Sequence, residues 1–324
     1  MRLTSIVAIT ALSCGAATVA PDLRAAQYPE RPIKVIVPTT AGSLPDVIAR
    51  LVGERLALAV GQPIIIENRA GAGGTIGLNA VAKAPADGYT LGIMASAYIA
   101  AAKLIDRVPY ETENDLAPVA LIAWNYVHLL VRSDSPVHSV GELITLAKSK
   151  PGTLKYSSPG NGTPGHLGMK LFEKQTGSEL VHVPYKGGPA ATMALLRGDV
   201  DIEMVGMLTV EPYVKSGALR LLATTAPRRV ASNPDLPTMI ELGYAEVNVT
   251  DWMGVVAPAG APVEVVERLS RELVAIAAQP DVNERLQALS MEPAGLGRVE
   301  FKRLIHSESK RLSRLTREAH ITAE

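Results

Sequence analysis

Ile33-Lys-Val-Ile-Val37 runs directly into Pro38-Thr-Thr-Ala-Gly-Ser43, and apolar residues then recur at helical spacing from Val47 to Leu56. A short, continuous apolar run is typical of a buried parallel strand. The helix start resembles a capping box, with Asp46 placed to pair with Arg50 four residues later. This segment therefore predicts a strand, a loop of small residues and a helix in succession.

The same succession recurs further along the chain. Pro63–Ile66 leads into Glu67–Gly74, Leu154–Tyr156 leads into Ser157–Thr163, and Val181–Tyr185 precedes another glycine pair. Each repeat predicts free backbone N–H groups at the N-terminus of a helix, and such groups bind anions. The alternation predicts an α/β fold with a mostly parallel sheet flanked by helices.

Two long extended segments, Trp124–Val131 and Leu219–Thr224, are interpreted as crossings between two lobes. They predict lobe I from residues 27–124 plus 226–324, and lobe II from residues 125–225. A return crossing as late as the strand Val249–Ala257 is the alternative. The C-terminal part shows two apolar stripes at helical spacing, which predict helices packed on lobe I.

Composition limits the classes of function. The chain has 324 residues, of which 47% are apolar, enough for two globular lobes. Lysine plus arginine equals aspartate plus glutamate at 32 each, so net charge does not favour nucleic acid or anionic membranes. Selectivity for an anion must then come from local backbone dipoles.

Residues 1–26 have the features of a secretory signal peptide. Arg2 precedes the apolar stretch Leu3–Leu12, and small residues follow. The alternative, a membrane anchor, needs about 20 apolar residues and this run is shorter. The one cysteine, Cys14, lies in this segment, so the mature chain is expected to lack disulfides and cysteine metal sites. We expect a soluble protein exported to the periplasm.

Motifs for other chemistries are weak. Gly71-Ala-Gly-Gly-Thr-Ile-Gly77 does not fit a dinucleotide fingerprint, because Ile76 stands where glycine is required. The six histidines form no metal-ligand motif, and His166 is expected to fix its loop through a hydrogen bond. No nucleophile with a base can be assembled, and Asp199 and Asp201 are expected to belong to a turn. The sequence predicts no metal, no cofactor and no enzymatic activity.

Several motifs, in order along the chain, resemble the Bug/TctC-type receptors, the periplasmic substrate-binding proteins of tripartite tricarboxylate transporters. They are Tyr28-Pro-Glu-Arg-Pro-Ile33, Val37-Pro38 with Ala41-Gly42 and Asp46, Glu67-Asn-Arg-Ala-Gly-Ala-Gly-Gly74, Asp87-Gly-Tyr-Thr-Leu91, His182-Val-Pro-Tyr-Lys-Gly187 and Ala257-Pro-Ala-Gly-Ala-Pro262. The resemblance implies a two-lobed periplasmic-binding-protein fold of type II, a "Venus flytrap". It also implies a receptor, usually monomeric, that closes on a small carboxylate and delivers it to membrane permease subunits.

The resemblance also implies a set of ligand contacts. In lobe I they are Thr40, Ala41, Gly42, Ser43, Gly71, Ala72 and Ser96. In lobe II they are Gly160, Gly162, Thr163, Tyr185 and Gly187. These positions lie at the helix N-termini and strand ends that the repeated pattern already indicates as anion-binding.

The chain departs from the family pattern at Thr39, where an aromatic residue is usual, at Ser43, and in Met204-Val-Gly-Met207, where an acid often follows the strand. The resemblance then implies a less acidic pocket. We expect a dicarboxylate, or an aromatic or aliphatic monocarboxylate, to be preferred over a free amino acid. Two alternatives stay open, an exported carboxylate-binding enzyme and a sensory binding partner on the same scaffold.

Overall fold

A computed structural model describes residues 28–104 and 108–318, and the expected signal peptide 1–26 lies outside the described residues. The strands are β1 (Ile33–Val37), β2 (Ile64–Asn68), β3 (Thr90–Ala95), β4 (Leu116–Arg132), β5 (Lys155–Ser158), β6 (Val181–Pro184), β7 (Ile202–Gly206), β8 (Leu219–Thr224), β9 (Thr250–Pro258) and β10 (Glu292–Leu296). The helices are α1 (Leu44–Val60), α2 (Thr75–Ala82), α3 (Ser96–Leu104), α4 (Thr112–Asp115), α5 (Val140–Ser149), α6 (Pro164–Thr176), α7 (Gly188–Arg197), α8 (Met207–Lys215), α9 (Val263–Ala277), α10 (Pro280–Ala288) and α11 (Arg298–Glu318), with a 3-10 turn at Ala72–Gly74.

Strand β4 joins two half-sheets. Its first part pairs with β9 and β10 beside the parallel strands β2, β1 and β3, and its last part pairs with β7 and β8 beside β5 and β6. The predicted two-lobed α/β fold is confirmed. The sheets are mixed rather than mostly parallel, because β4 runs antiparallel to all four of its partners and β9 runs antiparallel to β3.

The C-terminal helices cover lobe I as predicted. The apolar stripe of α9, from Val265 to Ile276, is buried, and Phe301 of α11 packs edge-on against Trp252 of β9 with ring centroids 5.2 Å apart. These contacts bury the stripe that helical spacing placed on one face. Among the described residues, no helix combines the length and apolar composition needed to span a bilayer.

Residues 226–249 pack beside lobe II. Thr224 of β8 forms a bridge with Thr238, and the side-chain amide of Gln175 in α6 bonds to Gly243 and Glu246. The chain then enters β9 and pairs with the first part of β4. The division of the chain at residue 226 stays a prediction, and these contacts favour the alternative with the return crossing at the start of β9.

Candidate functional site

A cleft of about 390 Å³ opens between the two lobes. Lobe I lines it with the loop after β1 (residues 38–40), the loop after β2 (residues 70, 71, 73 and 74) and one face of α3 (residues 97, 98 and 101). Lobe II lines it with residues 161–163, before α6. No lysine, arginine, histidine or carboxylate side chain is among these lining residues, so an anion bound here depends on backbone N–H groups, hydroxyls and the side-chain amide of Asn161.

The loop after β1 is held by a buried carboxylate. Asp46 of α1 accepts the N–H of Gly42 at 2.9 Å and the side-chain amide of Asn68 at 2.9 Å, and pairs with two guanidinium nitrogens of Arg50, Nε and Nη2, each at 3.0 Å. Arg50 and the other two donors lower the pKa of Asp46 to about 2 despite its burial. Because Asn68 ends β2, Asp46 ties the first two cleft loops together.

The predicted pairing of Asp46 with Arg50 is confirmed, but the predicted capping box is wrong in detail. Ser43 occupies the N-cap position of α1 without capping it. Its hydroxyl lies 2.6 Å from that of Thr39. The carboxylate of Asp46 reaches back to Gly42 rather than to Ser43 because it also accepts from Asn68 and Arg50.

The loop after β2 has an unusual backbone. Gly71, Ala72, Gly73 and Gly74 all have positive φ angles, of 130°, 45°, 59° and 91°. Glycine accepts such angles freely, whereas a left-handed residue with a side chain costs roughly 1–2 kcal/mol. Ala72 therefore holds a strained conformation. Within the described chain, the N–H groups of Gly71 and Ala72 have no acceptor, so both can donate to a ligand.

The N-terminus of α3 is closed by an internal carboxylate. The hydroxyl of Ser96 donates to Asp251 of β9 at 2.7 Å, and the N–H of Ala97 donates to the same side chain. Asn125 of β4 donates to the second carboxylate oxygen at 3.2 Å. Burial raises the pKa of Asp251, and these donors oppose the rise.

The N–H groups of the lobe II loop already have acceptors within lobe II. The N–H of Gly160 donates to the Ser158 hydroxyl, that of Gly162 donates to Nδ1 of His166 at 3.2 Å, and that of Gly187 donates to the Pro159 carbonyl. The hydroxyl of Thr163 donates to the Gly160 carbonyl at 2.7 Å. Thr163 therefore sits at the N-cap of α6 without capping it.

Two stacked histidines support this loop. The rings of His166 and His182 lie 3.9 Å apart, and Tyr156 stacks on His182 at 4.9 Å. Nε2 of His182 is 2.7 Å from the Ser158 hydroxyl. Burial is the largest cause that lowers the pKa of His166 to about 3 and that of His182 to about 4, and the ammonium group of Lys170 acts in the same direction on both rings. Both rings are neutral, and His166 fixes its loop through a hydrogen bond as expected.

The positions predicted from sequence fall into three groups. Thr40, Gly71, Gly162 and Thr163 line the cleft, and Ala41, Gly42, Ser43 and Ala72 belong to the same loops. Ser96 is buried and committed to Asp251. Gly160, Tyr185 and Gly187 are not among the residues that line the cleft, and the N–H of Tyr185 donates to the Ser158 carbonyl.

The sequence did not predict the role of Tyr98, whose ring lines the cleft, nor that of Asn125 and Asp251, which are hydrogen-bonded to each other beside it. The one available signal was an acid within the apolar run Val249–Ala257. Within the described residues, no group of three histidine, cysteine or carboxylate side chains is arranged to hold a metal.

The tripartite tricarboxylate transporter family receptor model, TctC, matches residues 48–321. The chain belongs to this receptor family. Protein BugT of Bordetella pertussis is 35% identical over 296 residues, which cover 91% of this chain and 88% of BugT.

Three solved structures share the fold of this TctC-family chain. R. palustris Rpa4515 with adipate has a TM-score of 0.80 and 33% identity, covering 92% of this chain and 100% of its own. Periplasmic binding protein BugD has a TM-score of 0.77 and 31% identity, and the match covers 92% of this chain and 100% of BugD. MatC from Rhodopseudomonas palustris with bound malate has a TM-score of 0.76 and 30% identity, and the match covers 89% of this chain and 99% of MatC. One of these three structures is thus a periplasmic binding protein, and the other two contain the carboxylates adipate and malate.

Proposed function

We propose that this TctC-family protein is a periplasmic receptor that captures a small carboxylate in the cleft between its lobes. The observation that carries the proposal is the pair of unbonded N–H groups at Gly71 and Ala72 in a cleft lined by uncharged residues. The carboxylates in the Rpa4515 and MatC structures support the ligand class. The ligand carboxylate would accept these N–H groups, with the hydroxyl of Thr40 and the N-terminal dipole of α1 beside them.

The expected energies are sufficient. A charge-assisted hydrogen bond contributes roughly 1.5–3 kcal/mol, and a partly buried helix end up to about 2 kcal/mol. Micromolar binding needs about 8 kcal/mol. Two or three such contacts, with apolar contact to Tyr98, reach that figure after ordering costs. No cationic side chain is needed in the cleft.

We further propose that the ligand favours the closed arrangement of the lobes, because only that arrangement contacts it from both sides. The membrane permease subunits of a tripartite transporter would then recognise the closed form. The signal-like segment 1–26 supports export, and the protein is expected to act as a monomer.

The test is thermal unfolding of the refolded mature protein against a panel of mono-, di- and tricarboxylates and amino acids. A ligand at about 100 times its Kd adds roughly 2.7 kcal/mol, which raises the Tm of a chain of this size by at least a couple of degrees. A shift restricted to carboxylates is the expected result. No shift with any acid contradicts the proposal.

The variant Ala97→Leu localises the site. Ala97 lines the cleft on a helix, so leucine fits the backbone and fills space that the ligand needs. We expect the ligand-induced Tm shift to disappear while the Tm without ligand stays near that of the wild type. Ala59→Leu, the same change on the exposed side of α1, is the matched control and should keep the shift. If Ala97→Leu shows the same ligand-induced Tm shift as the wild type, the carboxylate does not bind in this cleft.

A further inference from the structure

Asp251 is an acid buried beside a cleft whose own lining is uncharged. It lies on β9, is 6% exposed, and is opposite Asn125 in the pairing of β9 with β4. Its donors come from the start of α3, from β4 and from β9 itself: the Ser96 hydroxyl, the Ala97 N–H, the Asn125 amide and the Trp252 N–H. All four act as donors, which is the arrangement that stabilises a carboxylate ion.

Asp251 thus occupies the anion-binding position at the N-terminus of α3. Helix α3 begins at Ser96 and has nine residues, so its first N–H groups and its dipole favour a negative charge. That position is already occupied by the Asp251 carboxyl group. A ligand carboxylate approaching Ala97 from the cleft would compete with Asp251 for the same N–H, and the two carboxyl groups could not both ionise without repulsion.

The two ends of the cleft therefore differ. At the loop after β2, the N–H groups of Gly71 and Ala72 are open to an anion. At the start of α3, the corresponding donors are occupied, and the cleft wall there consists of Ala97 and the largely buried ring of Tyr98. Asn125 holds Asp251 from β4 through the hydrogen bond of its amide.

We propose that Asp251 is a specificity-determining residue that limits the cleft to ligands with one carboxylate and an uncharged second end. This inference rests on the proposed function and narrows its ligand class to monocarboxylates. The sequence alone predicts either a dicarboxylate or a monocarboxylate, because it does not show that Asp251 lies beside the cleft. The position of Asp251 in the structure favours the monocarboxylate. A hydroxyl or an apolar end is compatible with Ala97 and Tyr98.

The test uses pairs of acids matched in chain length: butyrate with succinate, hexanoate with adipate, and benzoate with terephthalate. Dissociation constants are measured by calorimetric titration for the refolded wild type, for Asp251→Asn, and for Asp235→Asn. The last variant removes the same charge from an exposed position in the segment 226–249 and serves as the control. Asn keeps the shape of the side chain and one acceptor oxygen for Ser96. Its NH2 group can donate to the side-chain oxygen of Asn125 once that amide turns over.

We expect the wild type to bind the monocarboxylate of a pair at least about tenfold more tightly than its dicarboxylate. Asp251→Asn should reduce this ratio to about threefold or less by tightening dicarboxylate binding, and Asp235→Asn should not change it. The inference is overturned if the wild type binds a dicarboxylate as tightly as the monocarboxylate of the same pair. It is also overturned if Asp251→Asn leaves the ratio of the two dissociation constants unchanged. If no acid of any kind binds the wild type, the proposed function itself fails.

Discussion

The two loops that face each other across the cleft share one sequence pattern and differ in how their N–H groups are used. In lobe I, the N–H groups of Gly71 and Ala72 have no acceptor within the described chain. In lobe II, those of Gly160 and Gly162 are bonded to Ser158 and His166. A glycine-rich loop before a helix is therefore not by itself an anion site. We infer that lobe I holds the carboxylate, and that lobe II closes over it as a preformed wall.

The lobes also differ in their buried acids. In lobe I, Asp46 has four polar contacts and a pKa lowered to about 2. In lobe II, Glu203 of β7 is fully buried and accepts one bond, from Thr192 at 3.0 Å. Its other oxygen has no partner among the described residues, and burial raises its pKa to about 8. The two lobes should therefore respond in opposite directions to pH.

The largest effect is expected from Asp46→Ala. The change removes the acceptor of the Gly42 N–H and one of the two acceptors of the Asn68 amide, which keeps its bond to the Thr39 carbonyl, and so loosens both lobe I loops. We expect the free energy of unfolding to fall by about 3 kcal/mol and carboxylate binding to be lost. Because the pKa of Asp46 is lowered, its contribution is present above pH 4 and lost as pH falls toward 2. Denaturant unfolding and calorimetric titration measure both results.

Arg50→Ala is the control for this comparison. It removes a half-exposed partner of Asp46 but leaves the bonds to Gly42 and Asn68 in place. Its effect on stability should be smaller, and binding should persist. If Asp46→Ala binds carboxylates normally, Asp46 does not position the lobe I loops for the ligand.

A smaller effect is expected from Glu203→Gln, and it appears only as a pH dependence. A folded pKa raised to about 8 from an ordinary value of 4.5 means that the folded state retains a proton that the unfolded state releases. Stability is then lost as pH rises toward 8, at up to 1.36 kcal/mol per pH unit. Between pH 6.5 and 8.5 we expect the wild type to lose about 2 kcal/mol more than Glu203→Gln.

The amide in Glu203→Gln can still accept from Thr192, so the variant should fold. Unfolding curves of both proteins at the two pH values give the difference directly, and groups other than Glu203 cancel in the comparison. Equal pH slopes would show that Glu203 is ionised in the folded protein and has a partner within the native structure.

Much of the fold follows from local sequence. The strand Ile33–Val37 is predicted with its observed bounds, because a continuous apolar run ends at Pro38. Strand β4 begins eight residues before the predicted Trp124, because register shifts at Pro118 and Ala123 let an irregular segment stay paired with β9. Strand β10 contains Pro293 and Gly295 and was not predicted. Its extended form depends on pairing with β4.

The cleft was less predictable than the fold. Uninterrupted small residues indicate the loop from Ala70 to Thr75, and its glycines do adopt positive φ. The bond between Ser96 and Asp251 joins residues 155 apart in sequence, and no local pattern reports it. The same is true of the bond from Gly162 to His166, whose existence depends on how tightly the loop folds over α6. Sequence therefore locates the loops but not which of their donors remain open.

The smallest effect, and the sharpest test of the difference between the loops, is expected from His166→Ala. The change removes the acceptor of the buried Gly162 N–H and one ring of the histidine stack. An unsatisfied buried donor costs roughly 1–3 kcal/mol, so the free energy of unfolding should fall by about 1–2 kcal/mol. Carboxylate affinity should weaken only severalfold, because the N–H groups of Gly71 and Ala72 are untouched.

His138→Ala, at an exposed position of lobe II, should change neither quantity. If His166→Ala abolishes binding as completely as Asp46→Ala, the lobe II loop holds the carboxylate too, and the division of labour between the lobes is wrong.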